Sequence, residues 1–221
     1  MGRHAQVVLA VALAFSFLLS GCAMQNGGAG KALTAGGEAN ASGTGFLVPE
    51  SRAAYTAYYI VNEGGQETDK TVYRMGRKMR MDYGLGGANI SVFFLDDKAY
   101  SCARSLASGE YGCFDITESA ASQGVSSLIG EPDLENAEMV EMVDVGSSGQ
   151  MKAQCYIFSS AAFPARKTCF VEGAIPAYDE YVLGNGQKHV EYLAYLKMDA
   201  NLRNFGLPAT PVIPPKNLTE Y

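Results

Sequence analysis

The sequence predicts an α+β domain that is mainly β, a single curved antiparallel sheet with helices over its concave face. Three observations support this prediction. The 221 residues include 25 Gly and 13 Tyr, a composition that favours turns and strands over long helical bundles. Segments of alternating apolar and polar residues recur along the chain. One helical insertion separates an early series of these segments from a late series.

The early series predicts five strands joined by polar or glycine-rich turns. Gly64-Gly65 is typical of the turn after the first strand, and Asp96-Asp97 of a hairpin turn. The predicted strands are 54–61, 72–83, 89–95, 98–103 and 110–116. One face of the strand 72–83 is expected to carry Tyr73, Met75, Met79, Met81 and Tyr83, with Arg77 among them.

The insertion and the late series complete the predicted domain. Thr117 can cap a helix that runs to about Ile129, and an acid-rich segment after Pro132 is predicted to be helical or irregular. The strand pattern then returns in 150–160, 167–171, 178–183 and 190–200.

The N-terminus predicts export and lipid attachment. Residues 7–19 form an apolar run of 13 residues broken only by Ser16, typical of a signal peptide and shorter than the roughly 18 residues of a spanning helix. The run ends in Leu19-Ser20-Gly21-Cys22, which looks like the lipobox of prokaryotic lipoproteins. We therefore expect cleavage before Cys22 and an extracytoplasmic lipoprotein anchored in a prokaryotic cell envelope. The alternative is an ordinary cleaved signal followed by a chance cysteine.

Composition also divides the rest of the chain. Residues 23–49 are glycine-rich with only two charges, typical of a flexible linker, and four of the eight prolines lie in 208–215, where regular structure should stop. The predicted divisions are a signal peptide (1–21), a lipid-anchored linker (22–49), a folded domain (50–207) and a Pro-rich tail (208–221).

Four cysteines remain after Cys22 is assigned to lipid. Exported domains meet oxidising conditions, so disulfides are expected, and four cysteines allow three pairings. The spacing favours Cys102 with Cys113 and Cys155 with Cys169, since each pair brackets a short stretch with turn residues. A zinc site is disfavoured, because zinc sites use close ligand pairs such as C-x₂-C and the nearest cysteines here are 11 residues apart.

Catalysis and nucleic-acid binding find little support in the sequence. The formal net charge of −6 argues against a nucleic-acid partner. His189 is the only imidazole outside the signal peptide and is expected to face solvent at the start of a strand. Known cofactor and metalloprotease motifs are absent from the sequence, and Asp96-Asp97 is assigned to a turn. We therefore predict neither an enzyme nor a cofactor.

Aromatic and methionine residues suggest a ligand cavity. Methionine's flexible side chain often lines sites that accept varied apolar ligands. The predicted apolar lining is Tyr59, Tyr73, Met75, Met79, Met81 and Phe94. A filled hydrophobic core is the alternative.

Four short motifs resemble sequence patterns of one known protein superfamily. The run 76–82 (Gly-Arg-Lys-Met-Arg-Met-Asp) is similar to G-x-K-x-R-x-D/E, and 94–100 resembles a strand with a D-G-K-x-L/Y hairpin. The run 169–176 resembles a D-G-x-P turn, and 205–208 resembles F-x-I/L-P. Together these motifs resemble the LolA/LolB-type lipoprotein carrier and receptor superfamily. The resemblance implies a half-open β-barrel with an internal helical lid over a cavity for acyl chains. An anchored Cys22 fits the receptor branch better than the soluble carrier branch.

Two functions follow as hypotheses. The first is a membrane-anchored lipoprotein that binds an apolar ligand, either a lipid or the acyl chain of a lipoprotein. The alternative is a structural or sensory envelope protein whose acidic segment 131–144 contacts a protein partner without lipid transport.

Overall fold

The computed structural model describes residues 51–85, 88–106, 108–122, 138–145, 151–158, 166–172, 174–183 and 185–213. Its strands are β1 (Ser51–Glu63), β2 (Gln66–Gly76), β3 (Lys78–Leu85), β4 (Ala88–Leu95), β5 (Lys98–Arg104), β6 (Tyr111–Asp115), β7 (Glu138–Val145), β8 (Met151–Phe158), β9 (Arg166–Val171), β10 (Ile175–Val182), β11 (Lys188–Lys197) and β12 (Pro211–Val212). The helix α1 spans Thr117–Ser122, and a 3₁₀ turn spans Leu202–Phe205. The predicted signal peptide, Cys22 and the linker lie outside the described residues.

The twelve strands in the described ranges all belong to one open sheet. Its order is β12-β6-β5-β4-β3-β2-β1-β11-β10-β9-β8-β7, so β1 to β6 form one meander, β7 to β11 form another, and β1 and β11 join the two. Every pairing is antiparallel except that of β12 with β6. The mainly β, single-sheet prediction is confirmed.

The predicted helices over the concave face are not confirmed. Within the described ranges, the α-helical content is the six-residue α1, and Ile129, the predicted end of that helix, lies outside these ranges. Asp115 Oδ1 accepts hydrogen bonds from the Thr117 backbone N–H and hydroxyl, at 3.0 and 2.6 Å, and Ala120 is fully buried in the core. The described stretches of the chain also contain no helix long and apolar enough to cross a membrane.

The prediction of one strand over 72–83 is wrong. The chain reverses at Gly76-Arg77, so Met75 lies opposite Lys78. Gly76 has a φ of +53°, a left-handed conformation that glycine adopts without steric cost. Because of this turn, odd-numbered residues before it and odd-numbered residues after it point to opposite faces of the sheet. Tyr73 therefore lies opposite Arg80 and on the other face from Met79 and Met81.

Two further segments differ from the predicted secondary structure. Residues 138–145, in the acid-rich segment predicted as helical or irregular, form the edge strand β7, where valine at 140, 143 and 145 favours strand over helix. Regular structure also continues past Pro208, since Pro211–Val212 pair with β6. Proline is tolerated there because it begins a strand at the sheet edge.

Apolar side chains are buried on both faces of the sheet. The main core contains Tyr55, Ala57, Tyr59, Val72, Met79, Met81, Val92, Phe94, Leu193 and neighbouring residues. On the opposite face, Phe93, Cys102 and Cys113 form a second cluster covered by Leu207 and Ala209 of the C-terminal segment. Adjacent Phe93 and Phe94 are thus 1% and 0% exposed, although they point to opposite faces.

Both favoured disulfides are confirmed. Cys102 lies directly opposite Cys113 on β5 and β6, and Cys155 lies directly opposite Cys169 on β8 and β9. Each bridge therefore joins neighbouring antiparallel strands. The Asp96-Asp97 turn is confirmed as well, with Lys78 Nζ donating to Asp96 at 2.7 Å.

Candidate functional site

A half-open cavity of about 510 Å³ lies between β7 and the strands in the middle of the sheet. This volume falls within the roughly 300–1,000 Å³ of small-molecule sites. Its lining residues are Ile60, Val143, Asp144, Val145, Lys167, Cys169, Ala177, Tyr178, Tyr192, Leu193 and Ala194.

The cavity exists because the sheet is strongly curved. Val143 of β7 and Ile60 of β1 line the same cavity, although four strands separate β7 from β1 in the sheet order. In a flat sheet the two strands would lie about 24 Å apart, at roughly 4.8 Å per strand. The β7 edge must therefore curl over the middle of the sheet, which confirms the predicted curvature.

The lining is largely apolar, and its charged groups have partners. Lys167 forms an ion pair with Glu141, and its Nζ lies 5.7 Å from the centre of the Tyr178 ring. Asp144 pairs with Lys152 at 2.7 Å. The remaining lining is mostly aliphatic and aromatic, so the cavity suits an apolar ligand better than a charged one.

Tyr178 is held by a hydrogen bond from its hydroxyl to Glu180. Burial and this bond raise the pKa of Tyr178 to about 12. The same bond, together with the Lys188 ammonium, lowers the pKa of Glu180. Both shifts favour a neutral phenol donating to a charged carboxylate, which fixes the tyrosine ring at the cavity wall.

The six residues predicted to line a cavity lie elsewhere. Tyr59, Met79, Met81 and Phe94 are packed in the main core, each 8% exposed or less. Tyr73 and Met75 lie on the opposite face, where Tyr73 contacts the Arg80 guanidinium at 5.3 Å. The lining of the observed cavity includes none of these six residues.

The sequence-based prediction does not include the residues that line the observed cavity, although the sequence contains one signal for them. Val143 and Val145 lie on either side of Asp144 in the segment Glu138–Val145, an alternation typical of a strand that the acidic residues of the segment obscure. The approach of β7 to β1 across the cavity has no local signal, since it depends on the curvature of the whole sheet.

Next to the core, the same sheet carries a buried polar network. Arg166 donates two hydrogen bonds to Asp179, at 2.8 and 2.7 Å, and Thr168 donates a third at 2.7 Å. Burial acts to lower the pKa of Arg166, but the hydrogen bonds and charge of Asp179 outweigh it and leave that pKa raised. The guanidinium therefore stays charged.

The expectation of a solvent-facing His189 is wrong. The side chain is buried, its Nδ1 lies 2.7 Å from Glu63 Oε1, and its ring stacks on Tyr181 with centres 4.5 Å apart. Glu191, 3.9 Å from Nε2, forms an ion pair with Lys70. The histidine is buried because β1 and β10 flank β11 and supply these partners on the same face. Across the described ranges, no group of three or more His, Cys, Asp or Glu is arranged to hold a metal ion.

Removing the Asp179 carboxylate should destabilise the domain. Asp179→Ala leaves Arg166 and Thr168 without their buried acceptor. Breaking a buried pair costs about 3–5 kcal/mol, and because the Arg166 side chain is 34% exposed we expect about 2–3 kcal/mol. Urea unfolding measures the loss. Asp144→Ala, which removes an exposed ion pair, is the control and should cost about 0–1 kcal/mol. Equal losses of unfolding free energy for the two variants would contradict a stabilising role for the Asp179 network.

Buried tyrosines should limit stability at alkaline pH. Burial is the main cause that raises the pKa of Tyr59, Tyr83 and Tyr181, whereas a tyrosine in an unfolded chain titrates near 10. Because the pKa of these tyrosines is higher in the folded protein than in the unfolded chain, their contribution to stability is complete below about pH 10. That contribution is lost as the pH rises further. We expect part of the tyrosinate absorbance to appear only with unfolding, and Tyr83→Phe to reduce that part. Complete titration while the fold persists would contradict this expectation.

Comparisons with known proteins give structural matches only. No protein-family model and no curated protein matches the chain. A structure of MucB matches with a TM-score of 0.47 at 13% identity, covering 72% of this chain and 59% of that one. The MucA/MucB complex from Pseudomonas aeruginosa matches with a TM-score of 0.45 at 10% identity, covering 71% and 56%. The chain thus spans little more than half the length of these MucB chains.

A third match concerns the family suggested by the sequence motifs. The LolA superfamily protein NE2245 from Nitrosomonas europaea has a TM-score of 0.35 at 6% identity, covering 72% of this chain and 93% of that one. At these identities and scores, the matches carry no argument about ligand or activity. A LolA superfamily protein is thus among the structures to which this chain is similar.

Proposed function

We propose that this protein is an exported lipoprotein, tethered through Cys22, that binds an apolar ligand of the acyl-chain class in the cavity beneath β7. The observation that carries the proposal is the cavity of about 510 Å³ with its mainly apolar lining. Burial of apolar ligand surface there would supply about 25 cal/mol per Å² before the costs of binding. The tether would keep the cavity close to a membrane, where acyl chains are abundant.

The walls of the cavity suit a binding site. The Cys155–Cys169 bridge joins β8 to β9, so the part of the sheet that curls over the cavity is covalently linked. Cys169, which lines the cavity, is thereby oxidised and carries no thiol. Both charged lining residues, Asp144 and Lys167, are in ion pairs. These features favour binding over catalysis, and no cofactor is required.

Filling the cavity tests the proposal. Ala194 lines the cavity, so Ala194→Phe should abolish or strongly weaken binding of a fluorescent fatty acid. Mass spectrometry should also find less co-purified lipid in this variant than in the parent protein. The matched control is Ala54→Phe, at an exposed position of β1, which should bind as the parent does. Equal binding by both variants would place the ligand elsewhere, and no binding by the parent would refute the proposal.

A protein partner at β7 is the second candidate function. In the described part of the chain, β7 pairs only with β8 and lies at the end of the sheet. Its Met139, Val140 and Met142 are 55%, 41% and 57% exposed. An exposed apolar edge strand can accept a strand from another chain.

A charged substitution on the β7 edge distinguishes binding of a protein partner from binding of an apolar ligand. Met142→Lys should abolish crosslinking to a partner in cells and leave fatty-acid binding unchanged. Ile213→Lys, a change at another exposed apolar position, is the control and should leave both unchanged. Crosslinks that persist in Met142→Lys would contradict a partner at this edge.

A further inference from the structure

Exposed apolar side chains lie on β1, on β11 and in the chain that follows β11, next to the strands that line the cavity. We define the tyrosine patch as Tyr58, Tyr195, Met198 and Leu202, which are 37%, 59%, 53% and 66% exposed. Tyr58 and Tyr195 are direct cross-strand neighbours on β1 and β11. Grouped apolar exposure of this kind marks interaction surfaces, whereas single exposed apolar residues are ordinary.

The tyrosine patch and the cavity lie on the same face of the sheet. Ile60, which lines the cavity, is two residues from Tyr58 on β1, so both side chains point to one face. Tyr192, opposite Ile60 on β11, also lines the cavity and is 39% exposed. An aromatic surface therefore leads from outside the sheet into the cavity.

The chain after β11 extends this surface. The Thr56 hydroxyl, on the same face as Tyr58, donates to the Asp199 carbonyl oxygen at 2.8 Å. This bond brings the segment that carries Met198 and Leu202 over the same face. The patch therefore combines residues of two strands with Met198, directly after β11, and Leu202, at the start of the 3₁₀ turn.

The chemistry of the patch fits the interface of a lipid bilayer. Tyrosine has an apolar ring and a polar hydroxyl, and it is enriched where hydrocarbon meets water. Lys197 beside the patch pairs with Asp199 at 2.9 Å, so these two residues add no net charge. Binding should therefore depend on apolar contact and little on anionic lipid.

The position of the predicted tether also favours a lipid bilayer as the binding partner of the tyrosine patch. The predicted linker, 22–49, precedes β1, and a flexible chain of that length would reach roughly 30 Å. Tyr58 lies seven residues into β1, about 23 Å along a strand from Ser51 at 3.3 Å per residue. An acyl anchor at Cys22 would thus hold the patch within reach of the bilayer and raise its effective concentration there.

We propose that the tyrosine patch docks the domain on the bilayer surface, so that the cavity opens directly to membrane lipid. This inference rests on the proposed function and specifies it: the ligand enters from the membrane without crossing water. Acyl-chain exchange then takes place at the face formed by β1 and β11.

The sequence contains no tryptophan, so the fluorescence of a single introduced tryptophan reports on one position. In the full-length lipidated protein, Tyr195→Trp introduces a single tryptophan into the patch. The protein is reconstituted into phosphatidylcholine vesicles with brominated acyl chains, which quench nearby tryptophan, and vesicle-bound protein is isolated by flotation. Tyr111→Trp, at a 44% exposed tyrosine on β6, is the matched control, because β6 lies five strands away from β1 in the sheet order.

We expect the tryptophan at position 195 to be blue-shifted and quenched, and the tryptophan at position 111 to show neither effect. Replacing a third of the phosphatidylcholine with phosphatidylglycerol should leave the difference unchanged. Equal quenching at both positions would overturn the docking. If the parent binds fatty acid while position 195 is not quenched, the docking fails and the proposed ligand site stands. A chain that does not float with vesicles would contradict both the anchor and the docking.

Discussion

Reduction of both disulfides is expected to lower the free energy of unfolding by about 6 kcal/mol. The two bridges close chain segments with sequence separations of 11 and 14, and constraining loops of this size is worth roughly 3 kcal/mol each in the unfolded state. Domains are typically stable by about 5–15 kcal/mol. The reduced protein should therefore be close to its unfolding threshold.

Urea unfolding with and without a thiol reductant measures this loss of unfolding free energy. Two double variants separate the bridges. Cys102→Ser with Cys113→Ser should cost stability alone, whereas Cys155→Ser with Cys169→Ser should also weaken fatty-acid binding, since Cys169 lines the cavity. Reductant should have no effect on the variant with all four substitutions. A transition that is unchanged by reductant in the parent protein would contradict a structural role for the bridges.

Phe94→Ala is expected to cost about 3–5 kcal/mol, because a fully buried aromatic side chain is replaced by a cavity. Phe94 is 0% exposed, and its side chain belongs to the main core with Val92 and Met79. Urea or thermal unfolding measures the change. Tyr111→Ala, at an exposed position, should change stability by only about 0.5 kcal/mol.

The same variant decides between two roles for Phe94. A core residue should give large destabilisation with fatty-acid binding retained under conditions where the variant is folded. A ligand-lining residue, as the sequence predicts, should give little destabilisation and a loss of binding. The second outcome would mean that the ligand occupies the main core rather than the cavity beneath β7.

Local signals explain the correct predictions. Turn residues such as Asp96-Asp97 fix hairpins by their own backbone preferences, and the cysteine pairs bracket short hairpins whose strands are bound to be neighbours. Strand alternation also identified most of the sheet. These features depend on residues close together in sequence, so they can be inferred without knowledge of the fold.

Failures came from two other sources. Alternation alone places Gly76 inside a strand, whereas its left-handed turn puts Tyr73 and Met75 on the other face from Met79 and Met81. The second source is long-range geometry: both faces are covered near Phe93 and Phe94, because the C-terminal segment with Leu207 crosses the outer face. His189 likewise gains its burial from strands distant in sequence. Alternation alone cannot indicate that a second layer will cover a face.

The sheet order has a consequence for how the protein folds. Each meander pairs strands that are near neighbours in sequence, so each can form with short loop closures. The seam between β1 and β11 joins them, and there Thr56 bonds Asp199, 143 residues later in the chain. We expect this seam to close late. The cavity takes its walls from both sides of the seam, so a bound ligand would stabilise only the assembled state and slow its opening.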